Sequence, residues 1–90
     1  MIEGYRVNVA VEAKESGVEA VMSERHEVAR KLGMVLRGPD AHGNNAREFE
    51  VCWYTMTRGE AQAVSVAAQA VLWGLDYSTV EARIEHLPEV

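Results

Sequence analysis

Ninety residues are enough for one domain and too few for two, so any functional site must come from the faces, loops or partners of a single core. Fourteen acidic residues against nine Lys and Arg give a net charge of −5, and the basic residues are scattered apart from the adjacent Arg30 and Lys31. This argues against nucleic-acid and acidic-membrane partners. The single cysteine, Cys52, excludes an intrachain disulfide and a thiolate zinc cluster built from one chain.

Tyr5, Val7, Val9, Val11 and Ala13 alternate with Arg6, Asn8, Ala10, Glu12 and Lys14, the two-residue period of a strand with one buried face. Ser16 and Glu19 have capping-box spacing, which predicts a helix starting there. On its wheel Val18, Val21, Met22, Val28, Ala29 and Leu32 share one side, and Gly33 is placed to end it in the left-handed conformation. Arg25 falls on that apolar side. The expected arrangement lays its stem along the core edge with the guanidinium in water or on a Glu. A rival reading makes Lys14–Gly17 a hairpin turn and Val18–Met22 a strand, with Ser23 capping a shorter helix.

Met34–Arg37 is a short apolar run that stops at Gly38 and Pro39, and residues 38–45 are dense in turn formers, predicting a hairpin loop. Arg47–Thr57 reads as a strand with Phe49, Val51 and Trp53 on one face and Glu50, Cys52, Tyr54 and Met56 on the other. Thr57 and Glu60 repeat the capping-box spacing and open a second helix running to Gly74. Its core stripe is expected at Val64, Ala68, Val71 and Leu75. A second apolar stripe lies at Ala63, Val66, Ala70 and Trp73, with a narrow polar face at Gln62, Ser65 and Gln69. Val80, Ala82 and Ile84 then alternate with Thr79, Glu81, Arg83 and Glu85 in a last strand that Pro88 ends.

Strand, helix, strand, strand, helix, strand is the split βαβ order. The fold class is therefore α+β, a ferredoxin-like βαββαβ sandwich with two helices on one face of a four-stranded antiparallel sheet, the whole chain forming one domain. The other sheet face would present Arg6, Asn8, Ala10 and Glu12, then Glu50, Cys52, Tyr54 and Met56, then Thr79, Glu81, Arg83 and Glu85.

No P-loop, dinucleotide-binding, nucleophile-elbow or HExxH pattern is present, which leans against an enzyme. Cys52 between Val51 and Trp53 reads as a packing residue rather than a nucleophile. His26, His42, His86 and Cys52 lack ligand spacing, so neither metal nor cofactor is expected. Asp40, His42, Asn44 and Asn45 fit a solvated turn. The strand Arg47–Tyr54 sets Glu48 and Glu50 where an RNA-stacking strand carries small residues, and two carboxylates there would repel phosphate.

Two apolar surfaces remain. On the open face Ala10, Cys52, Tyr54 and Met56 would form an island with Arg6, Asn8 and Arg83 at its rim, while Val66 and Trp73 on the second helix want a further contact. The expectation is a small non-catalytic interaction or regulatory domain that forms a homodimer or binds another protein through Arg6, Asn8, Cys52, Tyr54, Met56, Val66, Trp73 and Arg83. The alternative is a small-ligand-binding domain or enzyme using Arg6, Asn8 and Arg83 on the open face or between subunits. Thirteen valines against two isoleucines and seven arginines against two lysines fit a GC-rich coding sequence, as in high-GC bacteria and their phages. With no leader pattern in Met1–Arg6 and no long apolar run, a cytoplasmic location is expected.

Overall fold

Strand β1 (Gly4–Glu12) owes its central place to the valines at alternate positions: Val7, Val9 and Val11 are fully buried, and Ala13 just beyond is almost so. The computed structural model describes residues 4–37 and 47–88, and the elements run β1, α1 (Val18–Leu32), β2 (Val35–Arg37), β3 (Glu48–Thr55), α2 (Arg58–Gly74) and β4 (Ser78–Leu87). The hairpin loop expected over 38–45, with Asp40, His42, Asn44 and Asn45, lies outside the described residues. The strands form one antiparallel sheet in the order β2-β3-β1-β4, giving an α+β ferredoxin-like sandwich. Helix α1 packs over β2 and β3 and α2 over β1 and β4, while the helices meet each other only narrowly.

Residues 18–22 are helical, which removes the hairpin alternative, but the helix is not opened by Ser16. Gly17 occupies the capping position at φ 107, and no side chain caps the first turn. The serine sits one residue too early to reach the orphan N–H groups. Glu24 instead reaches back from within the helix, its carboxylate accepting the backbone N–H of Lys14 at 2.8 Å and of Glu15 at 3.0 Å, and the Tyr77 hydroxyl at 3.1 Å. At the other end Gly33 adopts φ 68. Its N–H donates to the Arg30 carbonyl and that of Met34 to the Ala29 carbonyl, the paired bonds of a Schellman ending. Arg25 is 5 % exposed, so its guanidinium is enclosed by the fold rather than extended into water.

The second capping box forms as expected: Thr57 Oγ1 accepts the Glu60 N–H at 3.1 Å, and the Glu60 carboxylate accepts the Thr57 N–H at 3.1 Å. Gly74 is the last residue of α2 but does not turn the chain. Asp76 does so at φ 63, with its N–H on the Trp73 carbonyl and the Tyr77 N–H on the Leu72 carbonyl. The buried stripe of α2 is Ala61, Ser65, Ala68 and Leu72 rather than Val64, Ala68, Val71 and Leu75. The helix is turned by roughly 60° from the expected orientation. Small residues at 61, 65 and 68 let the helix approach the sheet, and the bulkier Val64 and Val71 move to the flank facing α1.

In β4 the register with β1 slips: Ala10 faces Glu81 and Val11 faces Thr79, leaving Val80 as the extra residue of a bulge. Thr79 thereby moves from the open face, where simple alternation put it, to the core face opposite Val11, and Val80 is half exposed rather than packed inside.

Candidate functional site

Registers across β3, β1 and β4 bring together five of the eight residues singled out from the sequence. Arg6 lies opposite Tyr54 on one side and Glu85 on the other, and Asn8 lies between Cys52 and Arg83. All point to the sheet face away from the helices. The side chains are committed to one another. Glu85 is the hub: one oxygen accepts Arg6 Nη2 at 2.6 Å, and the other accepts Asn8 Nδ2 at 2.7 Å and lies 3.5 Å from Arg83 Nη2. Arg83 Nε also reaches Glu81 at 3.1 Å, and its Nη2 is 3.8 Å from Glu50. The bond to Glu85, with a smaller one to Tyr54, raises the Arg6 pKa further above its already high ordinary value.

This lattice closes over the centre of the face. Asn8 is 1 % exposed and Cys52 2 %. The apolar island expected here shrinks accordingly: Cys52 is covered, Ala10 is half-buried, and only Tyr54 and Met56 remain open, Met56 lying just past the end of β3. Glu85 lies against the short Asn8 side chain, and Cys52, set between Asn8 and Val35, is covered as well; a covered thiol in such a place is a packing group.

Val66 and Trp73, the remaining two, sit on the opposite layer of the molecule. Trp73 is 82 % exposed and Val66 68 %, on the flank of α2 that overhangs the start of β4. The other flank of α2 carries Val64 and Val71. With Leu32 and Met34 at the end of α1 and Trp53 from β3 they line an open groove of about 360 Å³. Trp53 keeps the core-side parity read from the sequence yet is 42 % exposed, because it opens into this groove where α1 and α2 meet only narrowly. Trp53 and Val71 were therefore missed as surface residues. Strand alternation assigns a side of the sheet and does not say how far the covering helices extend.

Among the described residues, no group of three or more His, Cys, Asp or Glu is placed to hold a metal ion, and no helix is long and apolar enough to cross a membrane. No family model matches the chain, and no curated protein matches its sequence.

Proposed function

We propose that this chain is a small non-catalytic protein-interaction domain, working by self-association or by capture of another protein, with its principal contact surface on the outer side of the helical layer around α2. The observation that carries this reading is the exposure of both tryptophans of the chain on the helix side of the sheet, Trp73 with Val66 on one flank of α2 and Trp53, from β3, in the groove along the other flank with Val71. Single exposed apolar residues are ordinary, but tryptophans with neighbouring valines are the side chains that most often anchor interfaces. A lone reduced thiol suits a cytoplasmic setting, and the size and coding bias suit a regulatory or host-binding protein of a bacterium or phage.

The open face supports a ligand site less well, since Arg6 and Asn8 already donate to Glu85 and an incoming anion would have to displace that carboxylate. The test is to compare wild type with Trp73→Glu and Tyr54→Glu in light scattering and in affinity capture with identification of the bound protein. Loss of the captured protein in Trp73→Glu alone is the expected result. Association unchanged in both variants would overturn the proposal.

A further inference from the structure

The outer edge of the sheet is its longest strand. β4 pairs with β1 on one side only, and from Glu81 to Leu87 that pairing is regular, each residue facing its partner without a break from Ala10 to Gly4. Edge strands are ordinarily protected by charged side chains, lysine above all, by proline or by a bulge. Here the bulge is confined to Val80, proline waits until position 88, and the charges on the seven residues between, Glu81, Arg83 and Glu85, are of both signs, which repel most strands and can match a second copy. Those seven residues form a self-complementary sequence.

Two copies of a strand related by a two-fold axis pair antiparallel, and the axis must pass through a residue so that both copies keep the same sheet face. Centred on Arg83, the pairing sets Arg83 against itself and Glu81 against Glu85, like charge on like charge. Centred on Glu85, it sets two carboxylates face to face. Centred on Ala82, it offers Glu81 to Arg83 but runs into the bulge at Val80. Centred on Ile84, all seven regular residues pair. Ile84 meets Ile84 of the partner subunit on the helix side, and Arg83 meets Glu85 of the partner subunit twice on the open side. Opposed residues in such a pair have Cβ atoms about 5 Å apart, within reach for both contacts.

We propose that the chain self-associates by adding β4 to β4 of a second copy, two-fold about Ile84, to make one continuous eight-stranded sheet. This goes beyond the proposed function and does not rest on it: it uses a different surface from the tryptophans of the helical layer, so the two readings fail in different variants. Charge complementarity in a single register selects a second copy of this chain over an unrelated strand.

Ile84→Cys places two thiols opposite each other across the axis, whereas Ala82→Cys faces His86 of the partner subunit. Under mild oxidation with diamide, Ile84→Cys is expected to give a covalent dimer on a denaturing gel and Ala82→Cys to remain a monomer. Native Cys52, 2 % exposed, contributes no background. Arg83 is half exposed, and Arg83→Glu, which also adds a carboxylate beside Glu50, Glu81 and Glu85 of its own chain, sets like charges together across the axis and is expected to weaken the dimer about 30-fold by light scattering. Circular dichroism checks the fold of each variant, and Arg83→Glu decides the matter if Ile84→Cys fails to fold.

Wild type that stays monomeric to several hundred micromolar overturns this pairing and leaves the helical layer free to bind another protein. A dimer that survives Arg83→Glu but is lost in Trp73→Glu overturns it equally and upholds self-association through the tryptophans. Cross-linking of Ala82→Cys in place of Ile84→Cys refutes the register. A dimer weakened by Arg83→Glu and indifferent to Trp73→Glu upholds the pairing.

Discussion

Replacing Glu24 with alanine removes the acceptor that ties the β1–α1 connection to its helix and to Tyr77. Three hydrogen bonds end on this one carboxylate: two from exposed backbone N–H groups of Lys14 and Glu15, and one from a half-buried tyrosine. Bonds to charged groups contribute about 1.5–3 kcal/mol when well shielded, but exposed N–H groups regain water when released. Taking about 0.5 kcal/mol for each backbone bond and about 1 kcal/mol for the tyrosine gives a loss of about 2 kcal/mol. For a domain of this size that is a fall in Tm of about 8–16 °C. Ser16→Ala is the paired control. A capping serine would cost about 1 kcal/mol when removed, whereas this one makes no cap and should cost under about 0.3 kcal/mol. Tyr77→Phe should lose about 1 kcal/mol by itself, and a double-mutant cycle with Glu24→Ala should show coupling of about 0.5–1 kcal/mol. Thermal and urea denaturation followed by circular dichroism measures all five proteins, wild type included. If Glu24→Ala melts within about 2 °C of wild type, or Ser16→Ala proves the costlier change, the assignment of Glu24 as the tie is wrong.

Asp76 ends α2 at φ 63, where a side chain is disfavoured and glycine is not, so Asp76→Gly should stabilise the domain by about 0.5 kcal/mol, after allowing for the freer unfolded glycine. A rise in Tm of about 2–4 °C checks it. Tyr77 is pushed up to about 12, first by burial and then by its hydrogen bond to Glu24. Its folded pKa lies above the unfolded value of about 10, so the folded state holds the proton more tightly. The resulting stabilisation is complete below about pH 10 and is lost as pH rises from about 10 to 12. Partial exposure screens the effect to about 1 kcal/mol, and the urea midpoint should fall less from pH 9 to pH 11.5 in Tyr77→Phe than in wild type.

The chain order and the faces of β1 and β3 were legible because alternate valines have one favourable place to go, and Phe49 and Val51 repeat the pattern on the neighbouring strand. The rotation of α2 was not. Ala, Val and Ser recur around its whole circumference, so no direction on the wheel is strongly preferred, and the sheet selects the narrowest side. The bulge at Val80 carries no glycine to announce it, and it becomes visible only when Val11 takes Thr79 as its partner. Two capping boxes with the same spacing behaved differently because Thr57 directly precedes the first helical residue while Gly17 intervenes after Ser16. On the open face the residues were legible but not their state. Closure over Asn8 depends on Arg6, Arg83 and Glu85 meeting from two strands, a contact between positions 79 and 77 residues apart for Arg6 and Asn8.

That closure reverses the ranking of surfaces that composition suggests. A partner seated on the open face would strip water from Arg6, Arg83, Glu81 and Glu50 while offering Glu85 nothing that Arg6 and Asn8 do not already supply. Desolvating satisfied charges is unfavourable unless the partner provides better pairs. The helical layer carries the opposite balance. Trp73, at 82 % exposed, leaves on the order of 200 Å² of mostly apolar surface in water, and covering it would contribute about 4 kcal/mol before ordering costs. The edge of β4 stands between the two, since its outward backbone groups exchange water for strand partners at little net change and the gain rests on Ile84, with Arg83 and Glu85, already paired within their own chain, selecting the register rather than adding much affinity. An incoming protein therefore gains most from the helical side, a second copy has register-specific contacts only along β4, and the lattice around Glu85 acts as a brace between strands from the two ends of the chain.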